Sequence, residues 1–358
     1  MAIVVGWDIG GAHLKAARAE DGRIVAAVQV AAPLRFGVAR LAEAFAEAMT
    51  GVGEADRHAI TMTGELADTF ASRSEGVAAL TAAAREALGD DVRVYAGRAG
   101  FVGSDDIANS IIDIASANWF ASASVVAKTI DSALFLDMGS TTTDVISIVD
   151  GAVAAQGYTD AERLSSGELV YTGLVRSFLM VCTKRAPFAG GWTELIRENF
   201  ANMADVHRIL GSLPEDADQM ATADDRPKSV AASRARLARM VGRDVDDAGE
   251  AAWTGLAQWF AEAQVRAVVD GASLVLSRAY LAADVPVVVA GVGVEVLHEV
   301  ARRLGRDVVD FNSLLDTTPA ARASVSQSAP AAAVAVLAST MHKHKQQAGS
   351  RQAGGARA

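Results

Sequence analysis

The chain has 358 residues, 51% of them hydrophobic and 21% charged, the profile of a folded globular protein with core enough for about two domains. Lys and Arg number 33 against 43 Asp and Glu, a net charge of −10, which argues against a surface built to neutralise nucleic-acid phosphates. The single cysteine, Cys182, excludes an intrachain disulfide or a cysteine-built zinc or iron–sulfur site within one chain, and fits a reducing cytosol.

The opening MAIVVGWDIGGAHLK lacks the basic leader of a signal peptide. No stretch reaches about 18 uninterrupted apolar residues, so a cytoplasmic protein that does not span a membrane is expected. Three strands are expected first, over 2–8, 14–20 and 23–31, broken by a Gly-rich turn and by Asp21-Gly22, a hairpin dipeptide. A helix over 38–49, a strand over 58–63, a helix over 75–88, a strand over 92–95 and a helix over 115–129 follow. The second half then repeats the opening: a strand over 133–137, a turn at Gly139-Ser140, a strand over 144–149, and Asp150-Gly151 before a strand over 152–156. LFLDMGSTTTDVISIVDG and VVGWDIGGAHLKAARAEDG share one skeleton, with Asp8 matching Asp137 and Gly10 matching Gly139 at a spacing of 129 residues. This is an internal duplication.

From 168 to 280 the pattern is mainly helical, interrupted at 186–192 and by an acidic loop over 214–227. A strand over 285–290 leads through Gly291-Val292-Gly293 into a helix over 294–304, then a strand over 308–311 and a last helix over 330–341. These elements predict an α/β chain with a first domain over 1–115 and a second over 116–341, the latter carrying a helical insertion around 168–282. The tail, 342–358, holds nothing to bury and is expected to be disordered.

A strand ending in Asp, then small residues, then a second strand suits the wrapping of backbone N–H groups around an anion, because missing side chains permit close approach. Gly10, Gly11, Gly139 and Ser140 meet that need, with Thr141 and Thr142 adding hydroxyl donors. Asp8 and Asp137 would repel a bare phosphate, so their presence implies a divalent cation or a proton-transfer role. One such turn is a weak signal that a plain hairpin also explains; two at equivalent points, joined by Gly291 and Gly293, favour the anion site. The last two glycines are also accounted for by close helix–strand packing.

The triple arrangement resembles the sugar kinase, heat-shock protein and actin superfamily, and within it the hydantoinase/oxoprolinase branch. More specifically, it is similar to the group of tetrahydromethanopterin-linked C1 transfer pathway proteins. The peptides that carry the resemblance are GWDIGGAHLK, TMTGELADTF, SRSEGV, SANWFASAS, FLDMGSTTTD, GELVYTG, NMADVHRILG and RPKSVAASRARLARMVGRD. It implies two ribonuclease-H-like domains of the actin-like ATPase superfamily with a ligand cleft between them. It further implies a likeness to the synthase of methanofuran biosynthesis, which joins an aminomethylfuran methyl diphosphate to the phenol of a glutamylated tyramine and releases diphosphate.

Under that reading the partners are a small-molecule diphosphate and a phenolic acceptor, with no nucleic acid and no membrane. Mg²⁺ is the expected cofactor, held by Asp8 and Asp137, and ATP is allowed but not required. The diphosphate would lie against Gly10, Gly11, His13, Gly139, Ser140, Thr141, Thr142, Gly291 and Gly293. Lys15 supplies a point charge or is a solvated strand residue; Asp137 and Asp144 are candidate bases for the phenol, Asp144 otherwise bonding threonine hydroxyls. Glu168 grips the substrate amine or serves a helix cap near Ser165 and Ser166; Trp119 stacks on a ring or sits in the core; Tyr171 flanks Glu168. Cys182, without a local base, reads as structural. The rivals are an ATP-dependent small-molecule kinase and a hydantoinase/oxoprolinase-like hydrolase, with an actin-like filament further off. Asp225, where the family pattern has a glycine, and Gly191, where it has an arginine, depart from the pattern.

Overall fold

The computed structural model describes residues 2–278 and 281–341. The tail expected to be disordered, 342–358, lies outside the described residues. The described residues form two compact units: 2–131, 150–153 and 310–341 make the first, and 132–149, 154–278 and 281–309 make the second. The division therefore falls at Asp131/Ser132 rather than at 115/116, and the C-terminal helical segment returns to the first unit.

The first unit is built on a six-stranded sheet in the order β3-β2-β1-β4-β5-β6. Its strands are β1 (Ile3–Ile9), β2 (His13–Glu20), β3 (Arg23–Ala31), β4 (Arg57–Met62), β5 (Val92–Tyr95) and β6 (Phe101–Val102). β1, β2 and β3 form an antiparallel meander, and β1, β4 and β5 run parallel. Val5, Trp7 and Ile9, on alternate positions of β1, face a core that includes Leu41, Phe45 and Ala48 of α1 (Arg40–Val52) and Leu80 and Ala84 of α2 (Arg73–Leu88). On the other face, Gly6 admits the backbone of the helix over 329–341: a methyl on Gly6 would lie 2.1 Å from the Ala331 carbonyl oxygen. The short α3 (Ile111–Ile114) precedes α4 (Asn118–Thr129). The helix expected from 115 begins later because Ser116 is left-handed, with φ 53°.

The second unit repeats the sheet. β7 (Ala133–Met138) and β8 (Thr143–Val149) are antiparallel. After the two-residue β9 (Ala152–Val153) and α5 (Asp160–Ser166), β10 (Leu169–Val170) adds to β8. β13 (Val287–Gly291) runs parallel to β7, α10 (Val294–Leu304) follows it, and β14 (Val308–Asp310) completes the order β10-β8-β7-β13-β14. The duplication extends to the hairpins: Asp21 and Asp150, again 129 apart, both have φ 50° and both precede a glycine of positive φ.

Between β10 and β13 stand α6 (Leu179–Cys182), the hairpin β11 (Arg185–Phe188) and β12 (Gly191–Glu194), α7 (Met203–Leu210), α8 (Val230–Met240) and the 27-residue α9 (Glu250–Leu276). They share a core of Leu179, Ala186, Phe188, Met203, Leu237, Trp253 and Phe260. The hairpin replaces what reads as a break in helix, because Ala186 and Phe188 alternate inward and Ala189 (φ 51°) and Gly190 (φ 83°) close a two-residue turn. α11 (Arg322–Gln327) belongs to the first unit.

Candidate anion-binding turns

In the first unit the turn after β1 is closed by Gly10 N–H donating to the His13 carbonyl at 2.9 Å. The N–H groups of Gly11 and Ala12 have no backbone acceptor among the described residues, and Gly11 has open space where a side chain would stand. Asp8 and Lys15 sit opposite each other on β1 and β2, both largely shielded, with Lys15 Nζ 4.0 Å from Asp8 Oδ2. His13 is buried beside them. The next parallel strand, β4, delivers Thr63, whose N–H donates to the Ile9 carbonyl at 3.0 Å, and Gly64, where a methyl would be 3.2 Å from the Gly10 carbonyl carbon. Thr63-Gly64 therefore forms the second wall of this turn. Both residues lie in the TMTGELADTF peptide, where no feature of the local sequence ties them to the Gly10 turn.

The second unit repeats the arrangement. Gly139 N–H donates to the Thr142 carbonyl at 2.9 Å, and the N–H groups of Ser140, Thr141 and Thr142 have no backbone acceptor among the described residues. Asp137 faces Asp144 across the ladder, so an acid stands where the first unit has Lys15. Arg163 of α5 compensates by pairing with Asp144 Oδ1 while also holding Asp160 at 3.0 Å. Burial pushes the Asp144 carboxyl above its ordinary value, and the Arg163 guanidinium pulls it back. The role of Thr63 is taken by Gly293, whose N–H donates to the Met138 carbonyl at 3.0 Å. Gly291 (φ 92°) and Gly293 are there for close approach: a methyl on Gly291 would lie 2.2 Å from the Met138 oxygen and 2.5 Å from Asp137 Oδ1. Thus Gly291 and Gly293 join Asp137, Gly139, Ser140, Thr141, Thr142 and Asp144 at one end of one sheet.

A brace holds this second turn. Leu174 N–H donates to the Gly139 carbonyl, and Val175 and Arg176 N–H both donate to that of Ser140. Gly173 packs so tightly that a methyl there would be 2.4 Å from Thr141 N. Thr143 Oγ1 donates to the Thr172 carbonyl (2.7 Å), and Gln264 Nε2 donates to Thr172 Oγ1 (3.1 Å) and to the Gly173 carbonyl (2.8 Å). Gln264 Oε1 lies 2.9 Å from His207 Nε2, whose Nδ1 meets Ser212 Oγ at 2.8 Å. Oε1 can only accept, so His207 carries its proton on Nε2, and burial holds its pKa below the ordinary 6.5. GELVYTG contains the brace's beginning, but nothing local in it points to Gln264.

Other sequence candidates lie elsewhere. Glu168 is fully buried and accepts from the N–H groups of Gln156 and Gly157 (2.7 Å each), from Ser166 Oγ (2.8 Å) and from Arg278. Those donors occupy both oxygens, which takes Glu168 out of the candidate site. Trp119, on α4, is fully buried and offers no face to a ligand; it stands edge-on to Phe120. Tyr171 is 67% exposed, next to the brace. Burial raises the Cys182 thiol to about 11.

Among the described residues no three His, Cys, Asp or Glu side chains gather as a metal cage. Carboxylates beside hydroxyls fit Mg²⁺, which completes its octahedron with water and phosphate oxygens rather than with protein alone.

Residues 56–338 match the family described as hydantoinase/oxoprolinase. The chain belongs to the hydantoinase/oxoprolinase family. It is 30% identical over 283 residues, 79% of this chain and 82% of the relative, to the (4-{4-[2-(gamma-L-glutamylamino)ethyl]phenoxymethyl}furan-2-yl)methanamine synthase of Methanocaldococcus jannaschii. A protein of the same name from Methanococcus vannielii is 29% identical over 51% of this chain and 81% of its own. Among solved structures, a nucleotide-free acetone carboxylase aligns with a TM-score of 0.57 at 11% identity, covering 93% of this chain and 70% of that one. This family member shares its fold with that acetone carboxylase. No described helix is long and apolar enough to cross a membrane.

Proposed function

We propose that this family member is a synthase of methanofuran-type cofactor assembly. It joins an aminomethylfuran methyl diphosphate to the phenol of a glutamyl-tyramine or tyrosine acceptor. The observation that carries the reading is the pair of matching turns with unclaimed N–H groups, in a chain whose relatives are named for the phenoxymethylfuran product.

The reaction forms a bond from the phenolic oxygen to the furan methylene, breaks the bond from that methylene to the diphosphate oxygen, and passes the phenolic proton to a base. The furan oxygen delocalises positive charge at the methylene, so the enzyme's work is to stabilise the leaving diphosphate and to position the phenol. In the first unit the N–H groups of Gly11 and Ala12 with the Lys15 ammonium, and in the second those of Ser140, Thr141 and Thr142, are each a set of donors suited to phosphate oxygens. Asp8 in the first unit and Asp137 in the second are each a candidate ligand for Mg²⁺, which when bound would supply charge neutralisation for the departing group. Asp144 takes the proton: Arg163 grips one of its oxygens and orients the other, and burial makes the carboxylate a stronger base.

The test is a mass-spectrometric assay with purified protein, Mg²⁺, the aminomethylfuran diphosphate and either acceptor, beside Asp144→Asn and an ATP-only control. Ether and diphosphate formed in equal amounts without ATP, and lost in the variant, are expected. ATP turnover with no ether would replace the proposal with the kinase or hydrolase reading.

A further inference from the structure

We infer that Arg176 is a diphosphate-binding residue of the second turn, an assignment that rests on the proposed function and extends it. Of the six residues Thr172 to Ser177, five are buried and Arg176 alone is exposed. That exposed position is on a rigid mount. Arg176 N–H donates to the Ser140 carbonyl at 2.8 Å, Val175 N–H donates to the same oxygen at 3.1 Å, and Gly173 N–H donates to Ser177 Oγ at 2.8 Å. Behind them Gln264 and Thr143 bolt the segment to α9 and β8.

Arg176 makes no ion pair and no side-chain hydrogen bond among the described residues, whereas the other basic group near this turn, Arg163, is spent on Asp144 and Asp160. The turn itself brings carboxylates, Asp137 and Asp144, to an anion site. The second unit thus has unclaimed N–H donors and two acids, and a diphosphate there calls for a cation that the fold has not already neutralised. A guanidinium on a residue whose N–H is hydrogen-bonded to the Ser140 carbonyl meets that requirement, and its fork of donors matches two phosphate oxygens at once.

The experiment is calorimetric titration of the full chain with inorganic diphosphate, with and without Mg²⁺, for wild type, Arg176→Met, Arg176→Lys and a control at another exposed arginine, Arg197→Met. Arg176→Met is expected to weaken binding by about 10-fold or more, the loss of one charge-assisted hydrogen-bonding group. Arg176→Lys should keep part of the binding, and Arg197→Met should bind as wild type does. In turnover, the KM for the furan diphosphate should rise in Arg176→Met while the KM for the phenol stays unchanged. A folded Arg176→Met that binds diphosphate as wild type does would overturn the assignment and leave the proposed function standing. Failure of wild type itself to bind diphosphate would overturn both.

Discussion

Two glycines of the turns should fail on substitution in opposite ways, and the contrast follows from the space around each. At Gly291 a methyl would meet the Met138 carbonyl oxygen at 2.2 Å and Asp137 Oδ1 at 2.5 Å, on a backbone of φ 92°. Overpacking against backbone costs about 1–3 kcal/mol and a left-handed conformation about 1–2 more, so Gly291→Ala should lose roughly 2–5 kcal/mol and displace Asp137. At Gly11 the methyl would meet nothing within 4 Å, and the backbone is not left-handed. Gly11→Ala should therefore leave stability unchanged or raise it by up to about 1 kcal/mol through the unfolded chain. Yet the methyl would stand in the open mouth of the turn, where a phosphate oxygen must approach N–H, and should weaken diphosphate binding several-fold. Urea unfolding followed by circular dichroism reads the first quantity and calorimetry the second. A stable Gly11→Ala that binds diphosphate as tightly as wild type would make the turn a plain hairpin. An undamaged Gly291→Ala would refute the close-approach argument.

Gln264→Met should cost about 2–4 kcal/mol, because it strands the His207 N–H and the Thr172 and Gly173 oxygens; if Gln264 positions the turn, activity per folded molecule should also fall, and Gln264→Glu, which keeps only the His207 bond, should fall between the two. His58 and His207 are both held below 6.5 by burial, so the unfolded chain binds more protons than the folded one just beneath that pH; stability should be full above pH 6.5 and decline as pH falls, and His207→Gln should flatten part of that decline in a series of thermal melts. With its thiol pushed up to about 11, Cys182 should react with iodoacetamide at pH 7.5 far more slowly than a free thiol, and rapid labelling of the native protein would contradict its burial.

Much of the molecule was legible without a structure because its information is local. Period-two apolar runs, Asp-Gly dipeptides and the 129-residue spacing marked both strand–turn–strand units, and the structure places Asp8 with Asp137 and Gly10 with Gly139 at the same points of two sheets. The region from 168 to 280 was less legible. There the short β10 and the β11–β12 hairpin depend on partners, β8 and each other, that a helical average over a long window conceals.

What the sequence determined by itself is the family, the duplicated turns and the residue types at their tips, since turn chemistry and strand alternation act over a few neighbouring residues. What only tertiary structure decided is which charges are free to act. Glu168 is absorbed by Arg278, 110 residues away, while Arg163, 19 residues from Asp144, holds one oxygen of that carboxylate. Gln264 reaches the brace across 91 residues, and Gly6 meets a helix near the other end of the chain. A carboxylate's role depends on whether a donor already occupies it, and in this protein most of those donors arrive from distant segments that only packing brings together.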